Sequence, residues 1–96
     1  MERDEIVSQL KARLDRLAEF KIKSLAIFGS IARGEARADS DIDFLVDFNG
    51  PATFDQYMGL KLFLEDLLGR PVDLVTRKGV RPELAPHIEQ EARRVA

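Results

Sequence analysis

Only eleven residues separate Gly29, where the apolar run 24–28 stops, from Asp41, where an alternating run over 42–48 begins. A parallel crossover takes roughly a dozen residues or more. The two runs are therefore expected to be antiparallel strands joined by a short helix and a turn. A longer segment follows the second run. Thr53 and Gln56 form a capping-box pattern, and Gly69 then Pro71 supply a stop, which predicts a helix over about 54–68. That helix leads to Pro71-Val72-Asp73-Leu74-Val75, a third strand. A right-handed crossover through the helix makes strands two and three parallel.

The flanks complete an α-β-(short α)-β-α-β-α order. Ile6, Val7, Leu10, Leu14, Leu17 and Ala18 recur at helical spacing and predict one helix over 3–20. Pro82 and Pro86 suit helix first turns, and Leu84, Ile88, Ala92 and Val95 predict a final helical stripe. The expected fold class is α/β (α+β), a small mixed three-stranded sheet with flanking helices. With 96 residues the chain is expected to form a single domain over 1–96.

Composition narrows the function classes. There is no cysteine, so thiolate metal sites and disulfides are excluded. The formal net charge of -2 lacks the cationic surplus that phosphate backbones demand, so direct nucleic-acid binding is not expected. No apolar run reaches spanning length, and the acidic start Met1-Glu2-Arg3-Asp4-Glu5 is unlike a signal peptide. A cytoplasmic protein without a membrane partner is the expectation.

The chemistry concentrates at one edge of the predicted sheet. Alternation in 42–48 turns Ile42, Phe44, Val46 and Phe48 to one face and Asp41, Asp43, Leu45 and Asp47 to the other. Asp41 and Asp43 then lie roughly 6.6 Å apart on one face. They are either solvated residues at a strand start or a pair that needs a cation. Hard oxygen donors of this kind suit Mg²⁺. Asp73, between Val72 and Leu74, either faces water on an edge strand or comes beside Asp41 and Asp43 through parallel pairing. Three converging carboxylates would match a two-metal centre. Gly29 allows close backbone approach, and Ser30 opens the short helix as either an ordinary N-cap or an anion site. Arg33 could reach a phosphate or pair with an acid. Ser40 is expected to support the turn into strand two. Asp47, roughly 13 Å along the strand from Asp43, is too far to join the same ions. His87 is expected to be exposed, and Tyr57 to pack on its helix.

Gly29-Ser30, ten further residues and Asp41-Ile42-Asp43 resemble the signature of the DNA polymerase β-like nucleotidyltransferases. Within that superfamily, Phe28-Gly-Ser-Ile-Ala-Arg-Gly-Glu-Ala-Arg-Ala-Asp-Ser-Asp-Ile-Asp-Phe-Leu-Val is similar to the minimal nucleotidyltransferases, the MntA-type antitoxins paired with HEPN-domain toxins. The resemblance implies a polymerase β-like fold and transfer of AMP from ATP to a hydroxyl. It implies that Asp41, Asp43 and Asp73 hold two Mg²⁺ ions and that Asp73 assists deprotonation of the acceptor. Gly29, Ser30, Arg33 and Ser40 would form the nucleotide side. The expected acceptor is a tyrosine on a cognate HEPN ribonuclease toxin. A binding-only antitoxin with a vestigial metal site, or transfer to a small-molecule hydroxyl, are the alternatives.

Overall fold

In the computed structural model, residues 2–35 and 41–96 are described, Glu2 by its backbone alone. Two short helices, α1 (Glu2–Lys11) and α2 (Leu14–Ala18), precede strand β1 (Ile22–Phe28). Then follow α3 (Gly29–Arg33), β2 (Ile42–Phe48), α4 (Phe54–Leu68) and β3 (Val72–Thr76). A single 3-10 turn (Arg77–Gly79), helix α5 (Ala85–Glu91) and a two-residue strand β4 (Arg93–Arg94) complete the order.

The sheet runs β3-β2-β1-β4. Strands β1 and β2 are antiparallel and β2 and β3 parallel, as the connection lengths require. One face carries Leu25, Ile27, Ile42, Phe44, Val46, Phe48, Val72 and Leu74, all buried in the same core as Leu10 of α1, Leu17 of α2 and Leu60 and Leu64 of α4. Residues of the opposite face pair in rows across the strands: Phe28 with Asp43 with Asp73, then Ala26 with Leu45 with Val75.

Helix α4 has the predicted bounds, and its capping box is complete. Thr53 Oγ1 accepts from the Gln56 N–H at 3.1 Å, and Gln56 Oε1 accepts from the Thr53 N–H at 2.8 Å. Gly69 ends the helix in the left-handed region, at φ 66°. The exposed edge of β3 is closed by this helix. Glu65 Oε2 accepts from the Val72 N–H at 2.9 Å, and the Tyr57 hydroxyl donates to the Leu74 carbonyl at 2.5 Å. An edge strand with free N–H and C=O groups invites pairing with another chain, so this clamp protects it.

Three expectations need correction. The first helix is not continuous over 3–20; it breaks at Ala12-Arg13, where Arg13 has φ -126° and ψ 32°. The break re-aims the chain so that Leu10 and Leu17 are both buried while Leu14, which shares their sequence stripe, stays 47% exposed. The sheet has four strands, not three. The predicted final helix stops at Glu91, and Val95 is buried through backbone pairing with β1 instead of a helical stripe: its N–H donates to the Leu25 carbonyl at 2.8 Å. Pro82 lies in a turn before α5, whereas Pro86 does occupy the first turn of that helix.

Candidate active site

The end of β1 and the starts of β2 and β3 meet at one sheet edge, because β1 is antiparallel to β2 and β2 parallel to β3. Asp43 sits at the centre of that edge, directly between Phe28 and Asp73. It is half-buried, and its side chain lies over Gly29. A Cβ at position 29 would fall on the Asp43 Oδ2 atom and come within 3.1 Å of Cγ. Gly29 also has φ 74°, a conformation that side-chain-bearing residues adopt at a cost. Glycine is thus required here twice, for backbone conformation and for room.

Asp43 and Asp73 are register partners on neighbouring parallel strands, so their carboxyls stand side by side on one face of the sheet. Burial pushes the Asp43 carboxyl above its ordinary range, and the charges of Asp73 and then Asp41 push it further. The Arg33 guanidinium pulls in the opposite direction without cancelling them. Asp41 is exposed and lies one residue before β2, outside the ladder that holds Asp43 and Asp73 in register. Among the described residues, no three His, Asp or Glu side chains are drawn closely enough together to enclose an ion as they lie. The site is a tight carboxyl pair with a third carboxylate beside it. Neighbouring acids, one of them held above its usual range by burial and by the charges beside it, are a donor set that a hard divalent cation can relieve.

Ser30 follows Gly29 within α3 and is half-buried. Arg33, in the last turn of α3, is engaged by two acids: Nε contacts Glu35 Oε2 at 3.1 Å, and an Nη contacts Glu91 Oε1 of α5 at 2.9 Å. Ser40 lies outside the described residues. Asp47 faces Arg77 at 3.8 Å, two rows from Asp43. His87 is exposed.

Sequence reading passed over the ridge of α4 beside β3. Lys61 contacts Glu65 at 2.9 Å, and its ammonium is held above its ordinary range by that hydrogen bond, with the charge of Asp73 contributing. Tyr57, Lys61 and Glu65 stand at i, i+4 and i+8, a legible spacing. That this ridge turns toward β3 was not legible. Along the row of Phe28, Asp43 and Asp73, the first two are half-buried and Asp73 is exposed. A trough of about 330 Å³ on the same sheet face is lined by Ser24, Ala26, Leu45 and Glu89 among others and includes no residue of that row.

Residues 7–95 match the nucleotidyltransferase domain family. The chain belongs to it. It is a nucleotidyltransferase by family, and its mixed sheet with flanking helices is the fold of the minimal nucleotidyltransferases. The protein adenylyltransferase MntA of Thermococcus cleftensis is 39% identical over 89 residues, covering 92% of this chain and 90% of that one. A solved structure described as a minimal nucleotidyltransferase is 40% identical, with a TM-score of 0.84 over 97% of this chain and 95% of the other. A tri-AMPylated HEPN toxin of Shewanella oneidensis, in complex with its MNT antitoxin, includes a chain of the same fold. That match has 18% identity and a TM-score of 0.67, over 94% of this chain and 71% of the other. Among the described residues no helix is long and apolar enough to cross a membrane.

Proposed function

We propose that this nucleotidyltransferase transfers AMP from ATP to a tyrosine hydroxyl of a HEPN-domain toxin, and so acts as its antitoxin. The observation that carries the reading is that Asp43 lies over Gly29 at the end of β1 and has Asp73 as its register partner on β3. The name of the Thermococcus cleftensis relative and the AMPylated toxin of the Shewanella complex support the choice of donor and acceptor.

Asp41, Asp43 and Asp73 would hold two Mg²⁺ ions, which when bound supply positive charge at the attacking and leaving oxygens. Ser30 and the N–H groups that open α3 would receive the β- and γ-phosphates. Arg33 would exchange Glu91 for a phosphate oxygen. The acceptor hydroxyl attacks the α-phosphorus, forming the new P–O bond as the bridge to the β-phosphate breaks and pyrophosphate leaves. Asp73 takes the hydroxyl proton. The protein's contribution is chiefly to hold acceptor, α-phosphorus and leaving group in line.

The test combines purified chain, MgCl₂, α-labelled ATP and a HEPN-domain toxin. Label is expected on a toxin tyrosine with the wild type, and a loss of at least ~100-fold with Asp43→Asn, the scale seen when a single transition-state stabilising group is removed. Absence of transfer by the wild type defeats the reading. Neutralisation that survives Asp41→Asn/Asp43→Asn without any label would establish the binding-only alternative.

A further inference from the structure

In-line transfer fixes the direction from which an acceptor must come. The pyrophosphate site at Gly29-Ser30 follows β1, and β3 lies on the far side of β2. The attacking hydroxyl must therefore arrive over β3, where Asp73 ends the row. The backbone edge of β3 is closed by Glu65 and Tyr57, so an arriving chain cannot add a strand there. What it meets instead is the outside of α4.

That surface is built for a helix. The ridge Tyr57, Lys61, Glu65 turns to β3, and the next ridge outward is Phe54, Met58 and Leu62, also at i, i+4 and i+8. Phe54 is 75% exposed, Leu62 is 55% exposed and Met58 is half-buried. These are two of the four large apolar side chains that stand exposed among the described residues, and they share one ridge. Beyond it stand Asp55 and Asp66, both exposed. Two-fold self-pairing along the ridge would gather both acids of both copies, four carboxylates, on one flank. A partner carrying Lys or Arg there neutralises them instead.

We propose that the Phe54-Met58-Leu62 ridge docks the acceptor protein, through an amphipathic helix with apolar side chains facing the ridge and basic side chains facing Asp55 and Asp66. The proposal rests on the transfer reading above. Docking there delivers the acceptor to the β3 end of the row, next to the Tyr57-Lys61-Glu65 ridge that lies against β3.

The test uses Phe54→Asp/Leu62→Asp and, separately, Met58→Asp, with a HEPN-domain toxin that the wild type labels as acceptor. Three quantities are read: transfer as a function of toxin concentration, Mg-ATP binding by calorimetry without toxin, and the melting temperature. The expected result is a rise of at least tenfold in the apparent KM for toxin in both variants. Mg-ATP affinity should stay within twofold of wild type and melting should remain cooperative. Wild-type KM in the double variant overturns the proposal. So does a wild-type chain that is dimeric by sedimentation and becomes monomeric in the variant, since a second copy then covers the ridge. A wild type that binds no Mg-ATP would instead defeat the nucleotide reading, a distinct failure. Variants that melt without cooperativity are replaced by Asp55→Lys/Asp66→Lys, for which the same rise in KM is required.

Discussion

Asp43 concentrates the conflict between folding and function in this chain. It is half-buried, paired in register with another acid, and pressed against a glycine that no other residue can replace without collision. For an acid whose folded-state pKa is raised, the folded protein holds the proton more tightly than the unfolded chain does. Its contribution is fully present below the ordinary Asp value of about 3.9 and is lost as pH rises through the higher folded value. In EDTA, the wild type should therefore lose stability relative to Asp43→Asn as pH rises from about 4 toward neutrality. Melting curves of both proteins across that range isolate the effect, because Glu65 titrates alike in each and in the opposite sense. Its carboxyl is held low by the Val72 N–H and then Lys61, so its contribution fades only as pH falls. Parallel pH profiles for the two proteins would show that Asp43 carries no such burden. Alternation together with parallel pairing of the second and third strands offers a common face for Asp43 and Asp73 in the sequence, beside the alternative that Asp73 faces water. That they are direct partners in the ladder was not legible, because register is set across strands.

At the scale of elements, legibility followed the length of the pattern. Helix α4 has a full capping box, fifteen residues and a glycine stop, and each of these is a local signal. Parallel pairing of β2 with β3 followed from that helix. The break between α1 and α2 was illegible because Leu10, Leu14 and Leu17 do form a helical stripe; only the shape of the core decides that Leu14 stays out. The clamp on β3 was hidden for the same reason, since spacing reveals a ridge but not its direction. Its strength can be measured. Tyr57→Phe removes the hydroxyl that donates to the Leu74 carbonyl and should cost about 0.5–1.5 kcal/mol in urea denaturation. Glu65→Ala should speed amide exchange at Val72 more than at Leu64, whose N–H is held within α4. Equal acceleration at both positions would mean that α4 loosens as a whole and that no local clamp exists.

Across the whole molecule, the sheet is asymmetric in how it ends. The β3 edge is covered by side chains, whereas the β1 edge is covered by backbone: Arg93 and Arg94 pair with Ile27 and Ala26, and Val95 and Ala96 both donate to the Leu25 carbonyl. Val95 sits 3% exposed in the common core, so this short strand also fills space that no helix reaches. Its apolar character was visible in the sequence and its burial was anticipated. The element was not, because two residues are too few to show a period. Helix α5 just before it is fastened to α3 by Glu91 and Arg33, in the helix that Gly29 and Ser30 open. Removing residues 93–96 should therefore act on two levels. Loss of the buried Val95 side chain alone is worth roughly 1.5–3 kcal/mol, and each lost backbone hydrogen bond adds about 0.5–1.5 kcal/mol. The urea midpoint should fall accordingly, and light scattering should rise with concentration as the bared β1 edge finds other chains. Val95→Ala should lower the midpoint without the scattering, since the backbone cover remains. If the truncated chain keeps the wild-type midpoint, β4 and Val95 are surface decoration and the core closes without them.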